Sequence, residues 1–248
     1  MAIRKKSVQE LPELASDFVW SVSSGSHHEP HSLLGVHPHE KGWVIRTLRP
    51  LAKSVVAELS GESVELSHVE NGLWQGFVAA KKAPDYRILT IYPDGTEWRT
   101  DDSYRHLPTI GELDLHLISE GRHEDLWNAL GSHIHAVKGE LGLSQGTRFA
   151  VWAPNAQAVR VVGDFNGWNG IAHSMRVMGS SGVWEIFIPG IGVGTKYKYE
   201  ILTRGNGWIT KIDPLAQHTE VPPSTASIVT ASNHKWADKT WIDARTKR

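Results

Sequence analysis

The sequence contains no cysteine, which excludes disulfide cross-links and thiolate metal sites. It also lacks any unbroken apolar run of about 20 residues, the length a bilayer-spanning helix needs. Net charge is nearly absent: 26 Lys+Arg against 27 Asp+Glu leave a formal −1. That balance argues against nucleic acid or an anionic membrane as the main partner. MAIRKK has the basic look of a secretory leader, but SVQELPELASD follows where an apolar segment belongs, so no leader is read here. The expectation is a soluble cytoplasmic protein. Tyrosine and phenylalanine are scarce at 5 each, whereas tryptophan numbers 11. Large aromatics bury much area, and their usual place is a core.

What is present is period-two alternation. Residues 146–168, GTRFAVWAPNAQAVRVVGDFNGW, run through an Ala-Pro-Asn turn into a second alternating stretch and end on a tryptophan held out on a loop. Phe149 and Val151 share one face, Val159 and Val161 repeat the device, and Trp184, Ile186 and Ile188 alternate, as do Tyr197, Tyr199 and Ile201. Glycine-rich breaks at 179–182 and 190–194 separate the runs. About seven such strands over about 90 residues fit an immunoglobulin-like sandwich.

The first half repeats the plan. Gly42–Arg46 before Arg49-Pro50-Leu51-Ala52 matches Gly146–Trp152 before Ala153-Pro154-Asn155-Ala156. Trp74 answers Trp184, Phe77 answers Phe187, Tyr86 answers Tyr197, and Asp102 answers Asp213. Trp98 answers Trp208 after a one-residue difference in length. The fold class read from this is all-β: two tandem immunoglobulin-like β-sandwiches with a short N-terminal helix. The expected organisation is a helical segment over 1–30, a first sandwich over 31–130, a second over 131–230, and a tail over 231–248. Leu11, Leu14, Phe18, Val19 and Val22 sit at helical spacing, with Pro12 in the first turn. A second short helix is expected over His123–Leu130, and Gly131–Leu143 reads as the connection between the sandwiches. The tail after Val229, with Trp236 and Trp241, has no strand pattern.

Chemistry is sparse. His27-His28-Glu29-Pro30-His31 resembles a metal cluster, but Pro30 breaks helical spacing and adjacent histidines diverge in an extended chain, so no metal site is expected. His37-Pro38-His39 and His133-Ile134-His135 read as loop residues. Gly190-Ile191-Gly192-Val193-Gly194 leads into a strand at Lys196–Leu202, not a helix, so it reads as a turn and not a phosphate loop. No Gly-x-Ser-x-Gly elbow is present. Asp101, Asp102, Asp164 and Asp213 are not paired by anything in the sequence, and the shared positions of Asp102 and Asp213 favour a turn role. The expectation is therefore no catalytic residues and no cofactor.

A binding surface is legible in the second copy. With Tyr197, Tyr199 and Ile201 facing inward, Lys198 must point outward. Trp208 opens the next strand, and Trp168 sits on its loop. Indole planes flanking an ammonium suit an α-glucan. About 100 Å² of apolar surface removed per ring gives roughly 2.5 kcal/mol per contact, which after the cost of association leaves weak binding, roughly millimolar to high micromolar. Packing in a core or rim is the competing reading for both tryptophans.

The residues Gly146–Asn155, Gly163-Asp164-Phe165-Asn166-Gly167-Trp168, Tyr197-Lys198-Tyr199, Lys211-Ile212-Asp213-Pro214 and Pro222–Ser227 resemble a family-48 carbohydrate-binding module. His31-Ser32-Leu33-Leu34-Gly35-Val36-His37 resembles the entry to the extra N-terminal sandwich of the longer bacterial glycogen branching enzymes. The resemblance runs from about Asp17 to Arg245. It implies glucan binding by Trp168, Lys198 and Trp208, with Asn166 of the same loop grouped with them. The Phe-Asn-Gly-Trp and Val-Trp-Ala-Pro elements also resemble debranching enzymes and the glycogen-binding β subunit of AMP-activated kinase, and an asparagine that this subunit uses near its final strand falls on Ser227. In the family a segment like Trp236–Arg245 leads into a (β/α)₈ barrel bearing an aspartate nucleophile, a glutamate acid/base and a second aspartate. This chain stops at Arg248. It is therefore expected to bind α-1,4-glucan or glycogen, to meet a catalytic barrel as partner, and to make no α-1,6 branches itself. The rival reading is a free-standing glycogen-targeting or regulatory module that docks on a separate partner.

Overall fold

The computed structural model describes residues 11–40, 42–205, 207–232 and 234–245. The MAIRKK start and Asn206 in the Gly205–Gly207 turn lie outside the described residues. The chain's short N-terminal helix is α1 (Ser16–Ser23), which holds Phe18, Val19 and Val22, while Leu11 and Leu14 lie ahead of it in non-helical backbone. Pro12 biases Leu11 toward extended backbone, and Ala15 is still extended at φ −65°, ψ 128°.

The first sandwich comprises β1 (Gly35–His39), β2 (Gly42–Leu48), β3 (Ser54–Leu59), β4 (Ser63–His68), β5 (Leu73–Val78), β6 (Tyr86–Ile91) and β7 (Glu97–Thr100). They form one antiparallel ladder in the order β1-β2-β5-β4-β3-β6-β7. Strand β4 makes the corner: Ser63–Leu66 pair with β3, and Ser67 and His68 pair with β5. Alternate residues Val55, Ala57 and Leu59 meet Ile45, Trp74, Tyr86 and Ile88 in the enclosed core, the period-two burial expected of a sheet with one wet face.

Helices α2 (Glu112–Ser119) and α3 (Leu126–Ala129) lead to the second sandwich. That sandwich comprises β8 (Gly131–Gly139), β9 (Gly142–Trp152), β10 (Ala158–Gly163), β11 (Arg176–Val177), β12 (Val183–Pro189), β13 (Lys196–Leu202), β14 (Trp208–Lys211) and β15 (Ser227–Ile228). One sheet runs β11-β12-β9-β8; the other runs β10-β13-β14, with β15 also paired to β13. A last helix, α4 (Lys239–Arg245), carries exposed Trp241. Among the described residues no helix is long and apolar enough to cross a membrane.

Several expectations change here. Gly131–Leu143 is not a connection: β8 pairs with β9 along its whole length. His37–His39 and His133–His135 consequently lie in strands, not loops. The helix expected over His123–Leu130 is reduced to α3, and α2 precedes it. Only Trp74 and Trp184 of the 11 tryptophans are buried, so the composition is not explained by core packing.

The internal repeat holds down to single hydrogen bonds. Trp74 Nε1 donates to the Arg49 carbonyl at 3.1 Å, and Trp184 Nε1 donates to the Ala153 carbonyl at 3.0 Å. Tyr86 donates to Asp102 at 3.0 Å, as Tyr197 does to Asp213 at 2.6 Å. Asp102 also accepts from the Tyr104 amide and Asp213 from the Leu215 amide, so both carboxylates shape a turn, as expected, while receiving a core tyrosine. Gly72 and Gly182 sit at φ +77° and +74° against Pro50 and Pro154, where a Cβ would approach within 2.8 and 2.7 Å.

The sandwiches are joined by both apolar and polar contacts. Val19 and Val22 of α1, with Leu33, Leu34, Leu48, Leu73 and Tyr104, share one buried cluster with Phe149, Val159, Val161, Tyr197 and Tyr199 of the second sandwich. Beside it, Arg105 pairs with Asp85 at 2.8 Å and with Asp101, and the Ser144 hydroxyl of β9 accepts from Arg105 at 2.7 Å and from Arg87 at 3.1 Å. Although burial opposes it, the nearby His106 ring and hydrogen bonds from Arg105 and Ser144 hold the Asp101 carboxyl well below the usual range.

Alanine at Gly182 forces both a left-handed backbone and a clash with Pro154. We expect Gly182→Ala to lose at least about 1 kcal/mol in urea unfolding, whereas Gly179→Ala, with open space around it, should lose less. Equal losses would contradict the packing described.

Candidate functional site

The outer face of the β10–β13–β14 sheet follows from registry. Tyr197 and Tyr199 are buried and both donate to Asp213, so Lys198, Glu200 and Leu202 point the other way. Trp208 pairs with Leu202, Arg160 with Glu200 and Val162 with Lys198, which puts all of them on that outer face. Lys198 is outward as its alternation requires, and its ammonium donates to Thr225 Oγ1 at 2.8 Å.

The loop after β10 divides its aromatics between two jobs. Phe165 turns inward, stacking on Phe149 with centroids 6.5 Å apart and meeting the His173 ring edge-on at 5.2 Å. Trp168 turns outward with 44% of its surface exposed. Gly167 and Trp168 are consecutive positive-φ residues at +59° and +61°, which turns the chain sharply at the indole. The Trp168 amide donates to the Gly163 carbonyl at 2.9 Å, tying this turn to the end of β10.

Asn166 is placed differently from the other three candidates. Its Oδ1 accepts from the Gly163 amide at 2.9 Å, and its Nδ2 donates to the Val161 carbonyl at 2.9 Å and toward His173 Nδ1 at 3.1 Å. The amide is spent on closing the loop that carries Trp168. Ser227 is buried, and its hydroxyl accepts from the Asp213 amide at 3.0 Å.

Trp208 is half-buried, and one face of its ring is covered: the Arg160 guanidinium lies 3.5 Å from the ring centroid. The ladder positions to which the two indoles attach, Tyr197 beside Gly163 and Leu202 beside Trp208, are five residues or about 17 Å apart. Lys198 lies between them. The sequence reading missed Arg160, Glu200, Thr225 and His173 at this face. Strand register sets Arg160 opposite Glu200, while Thr225 and His173 enter through hydrogen bonds to Lys198 and Asn166.

The first copy does not reproduce the surface. By register, Glu97 pairs with Ile91 where Trp208 pairs with Leu202, and Thr100 pairs with Ile88 where Lys211 pairs with Tyr199. Trp98 therefore occupies the position of Ile209 and sits on the opposite side of its sheet from the Trp208 position. The expected equivalence of Trp98 and Trp208 is one residue out, and one residue reverses a strand's facing. The outer face of the first copy instead carries Glu58, Glu97 and Arg99 in mutual ion pairs.

The histidine cluster does not assemble. His27 and His28 stack at 4.7 Å, where diverging side chains were expected, and His31 is enclosed edge-on to Tyr104. Among the described residues no group of three His, Cys, Asp or Glu side chains is placed to hold a metal ion.

Comparison with known families agrees with this architecture. Residues 16–104 match the alpha-1,4-glucan branching enzyme GlgB N-terminal domain, and residues 129–216 match carbohydrate-binding module 48 (isoamylase N-terminal domain). The chain belongs to the GlgB branching-enzyme family, as its N-terminal region. The first GlgB match takes in α1 with β1–β7, and the module-48 match takes in β8–β14. The 1,4-alpha-glucan branching enzyme GlgB of Leifsonia xyli subsp. xyli (strain CTCB07) is 52% identical over 242 residues, covering 95% of this chain and 32% of that protein. That of Thermobifida fusca (strain YX) is 53% identical over 226 residues, covering 91% and 30%. This chain thus spans about a third of the length of the GlgB relatives it matches. Among solved structures, a pullulanase from Anoxybacillus sp. LM18-11 aligns at 14% identity over 79% of this chain and 27% of that one, with a TM-score of 0.34, too low to carry an argument.

Burial pushes the His173 imidazole down to about 4 from 6.5. The unfolded chain takes up that proton below about pH 6.5 and the folded chain resists it, so stability is full above that pH and falls as pH drops toward 4. His173→Asn keeps an acceptor near the Asn166 amide without titrating. Its melting temperature is expected to change less between pH 7 and pH 4.5 than that of the parent; an unchanged slope would remove His173 as a cause.

Proposed function

We propose that this chain is the noncatalytic, glucan-holding front of a branching enzyme, with α-1,4-glucan or glycogen bound on the outer face of the second sandwich. Trp168 carries the reading: an exposed indole at a sharp turn of two positive-φ residues has no core to fill. A sugar ring's C–H face covers it at the energetic scale of a half-exposed aromatic. Lys198 supplies a donor to sugar hydroxyls, and the face of Trp208 away from Arg160 supplies a second plane. Asn166 acts from beneath, by holding the loop.

In the whole enzyme, this face would retain a glucan while a catalytic barrel cleaves an α-1,4 link and re-forms it at a glucose 6-hydroxyl. The barrel is the proposed partner, and the cytoplasm the proposed location. Trp236 and Trp241 are largely exposed, which suits contact with further protein more than a free-standing module would.

In native gels containing glycogen, the chain is expected to migrate slowly, and Trp168→Ala with Trp208→Ala to restore free migration. Two lost contacts of about 2.5 kcal/mol each, as an upper limit, cap the weakening at roughly several thousandfold, and a loss of about tenfold or more is expected. Undiminished retardation in the double variant would overturn the assignment. Separately, residues 1–248 are expected to leave the iodine stain of amylose unchanged, and a measurable loss of stain would contradict the noncatalytic reading.

A further inference from the structure

We infer that the N-terminal segment is a working part of this glucan surface, because it fixes Arg160 as the residue that positions Trp208. The inference rests on the glucan-binding reading above and extends it to residues outside the carbohydrate-binding module.

The guanidinium of Arg160 is held from three directions. Nη2 pairs with Glu200 Oε2 on the neighbouring strand at 3.0 Å, and Nη1 donates to the Ser24 carbonyl just after α1 at 3.2 Å. Its plane faces the indole of Trp208 at 3.5 Å. Gly25 closes the arrangement: a Cβ there would lie 2.9 Å from Arg160 Cδ and 3.0 Å from Nη1, so the chain passes close over the arginine only because that side chain is absent. The segment is itself anchored by Val19 and Val22 in the shared core and by the Val177 amide donating to the His28 carbonyl at 3.0 Å.

An indole at the open end of a four-residue strand would otherwise rotate among its staggered side-chain states. The fork of arginine matches two acceptors at once while its flat face meets an aromatic ring. Trp208 is thereby held as a plane with one side closed by the guanidinium, so it can stack at most a single sugar face and cannot be sandwiched between two. Arg160 contributes through that ring and not by contacting sugar. Residues 24 and 25 thus tie the first family domain to the ligand surface of the second.

The test is a thermodynamic cycle on the full chain, titrating maltoheptaose and following tryptophan fluorescence. Arg160→Met is expected to weaken binding roughly three- to tenfold in the parent and to have no further effect in a Trp208→Ala background. Arg160→Lys keeps the charge without the fork and is expected to fall between parent and Arg160→Met. Glu200→Gln releases one arm of the fork and reports the same coupling should Arg160→Met fail to fold. Equal losses from Arg160→Met with and without Trp208, or no loss in the parent, would overturn the positioning role. If Trp208→Ala and Trp168→Ala themselves leave binding unchanged, the glucan assignment fails instead, and the two failures are distinguishable.

Discussion

The hydrogen bonds from Tyr197 and Tyr199 to the enclosed Asp213 carboxylate are the constraint on which the binding face depends. Burial raises the carboxyl of Asp213, while the two phenols and the Leu215 amide stabilise its ionised form. A buried acceptor that loses its donors is costly, so the pairing fixes which residues of β13 point inward. Once that parity is set, Lys198 and Glu200 face out, and the register places Arg160 and Trp208 beside them. The surface is therefore a by-product of core hydrogen bonding, which explains why no catalytic or metal chemistry is needed to build it.

The same bond in the first copy, Tyr86 to Asp102, performs the core task without a ligand surface. Duplicated modules separate here into one that braces and one that holds. The bracing copy spends Arg87, the counterpart of Lys198, on Asp85 and the Ser144 hydroxyl, at the junction with β9. The same strand position thus points to the outer face in one copy, where Lys198 donates to Thr225, and to the domain joint in the other. With α1 packed into the shared cluster, the two sandwiches and the N-terminal segment meet in a continuous interior.

Much of this was legible in the sequence, and the reasons are specific. Alternation in Tyr197–Ile201 and the matched Trp74/Trp184 and Tyr86/Tyr197 pairs report directly on sheets with one wet face, so the sandwiches and their repeat could be read. The strand read between Thr195 and Thr203 is β13, Lys196–Leu202, within one residue at each end, because glycine turns delimit it. Helix α2 was missed because Leu113-Asp114-Leu115-His116-Leu117 alternates like a strand. In the fold, Leu115 and Ile118, three apart, are what pack against the cluster that contains Ile110, Leu130 and Ala150. Strand β8 was missed because its outward residues include Ile134 and Ala136, which blur the polar–apolar contrast. At the site, residue types were readable but partners were not: the cover of Arg160 on Trp208 and the internal use of Asn166 follow from pairings between distant segments.

Trp98 lies one rung beyond the position that Trp208 holds. Both hairpins leave five residues between their last paired positions, Ile91 with Glu97 and Leu202 with Trp208, so their strand registers agree while their aromatic rows do not. A tandem domain can thus withdraw an aromatic from one face by shifting it to the neighbouring rung, leaving its interior untouched. Which copy presents the indole is then a matter of strand parity, invisible to any comparison that aligns tryptophan with tryptophan.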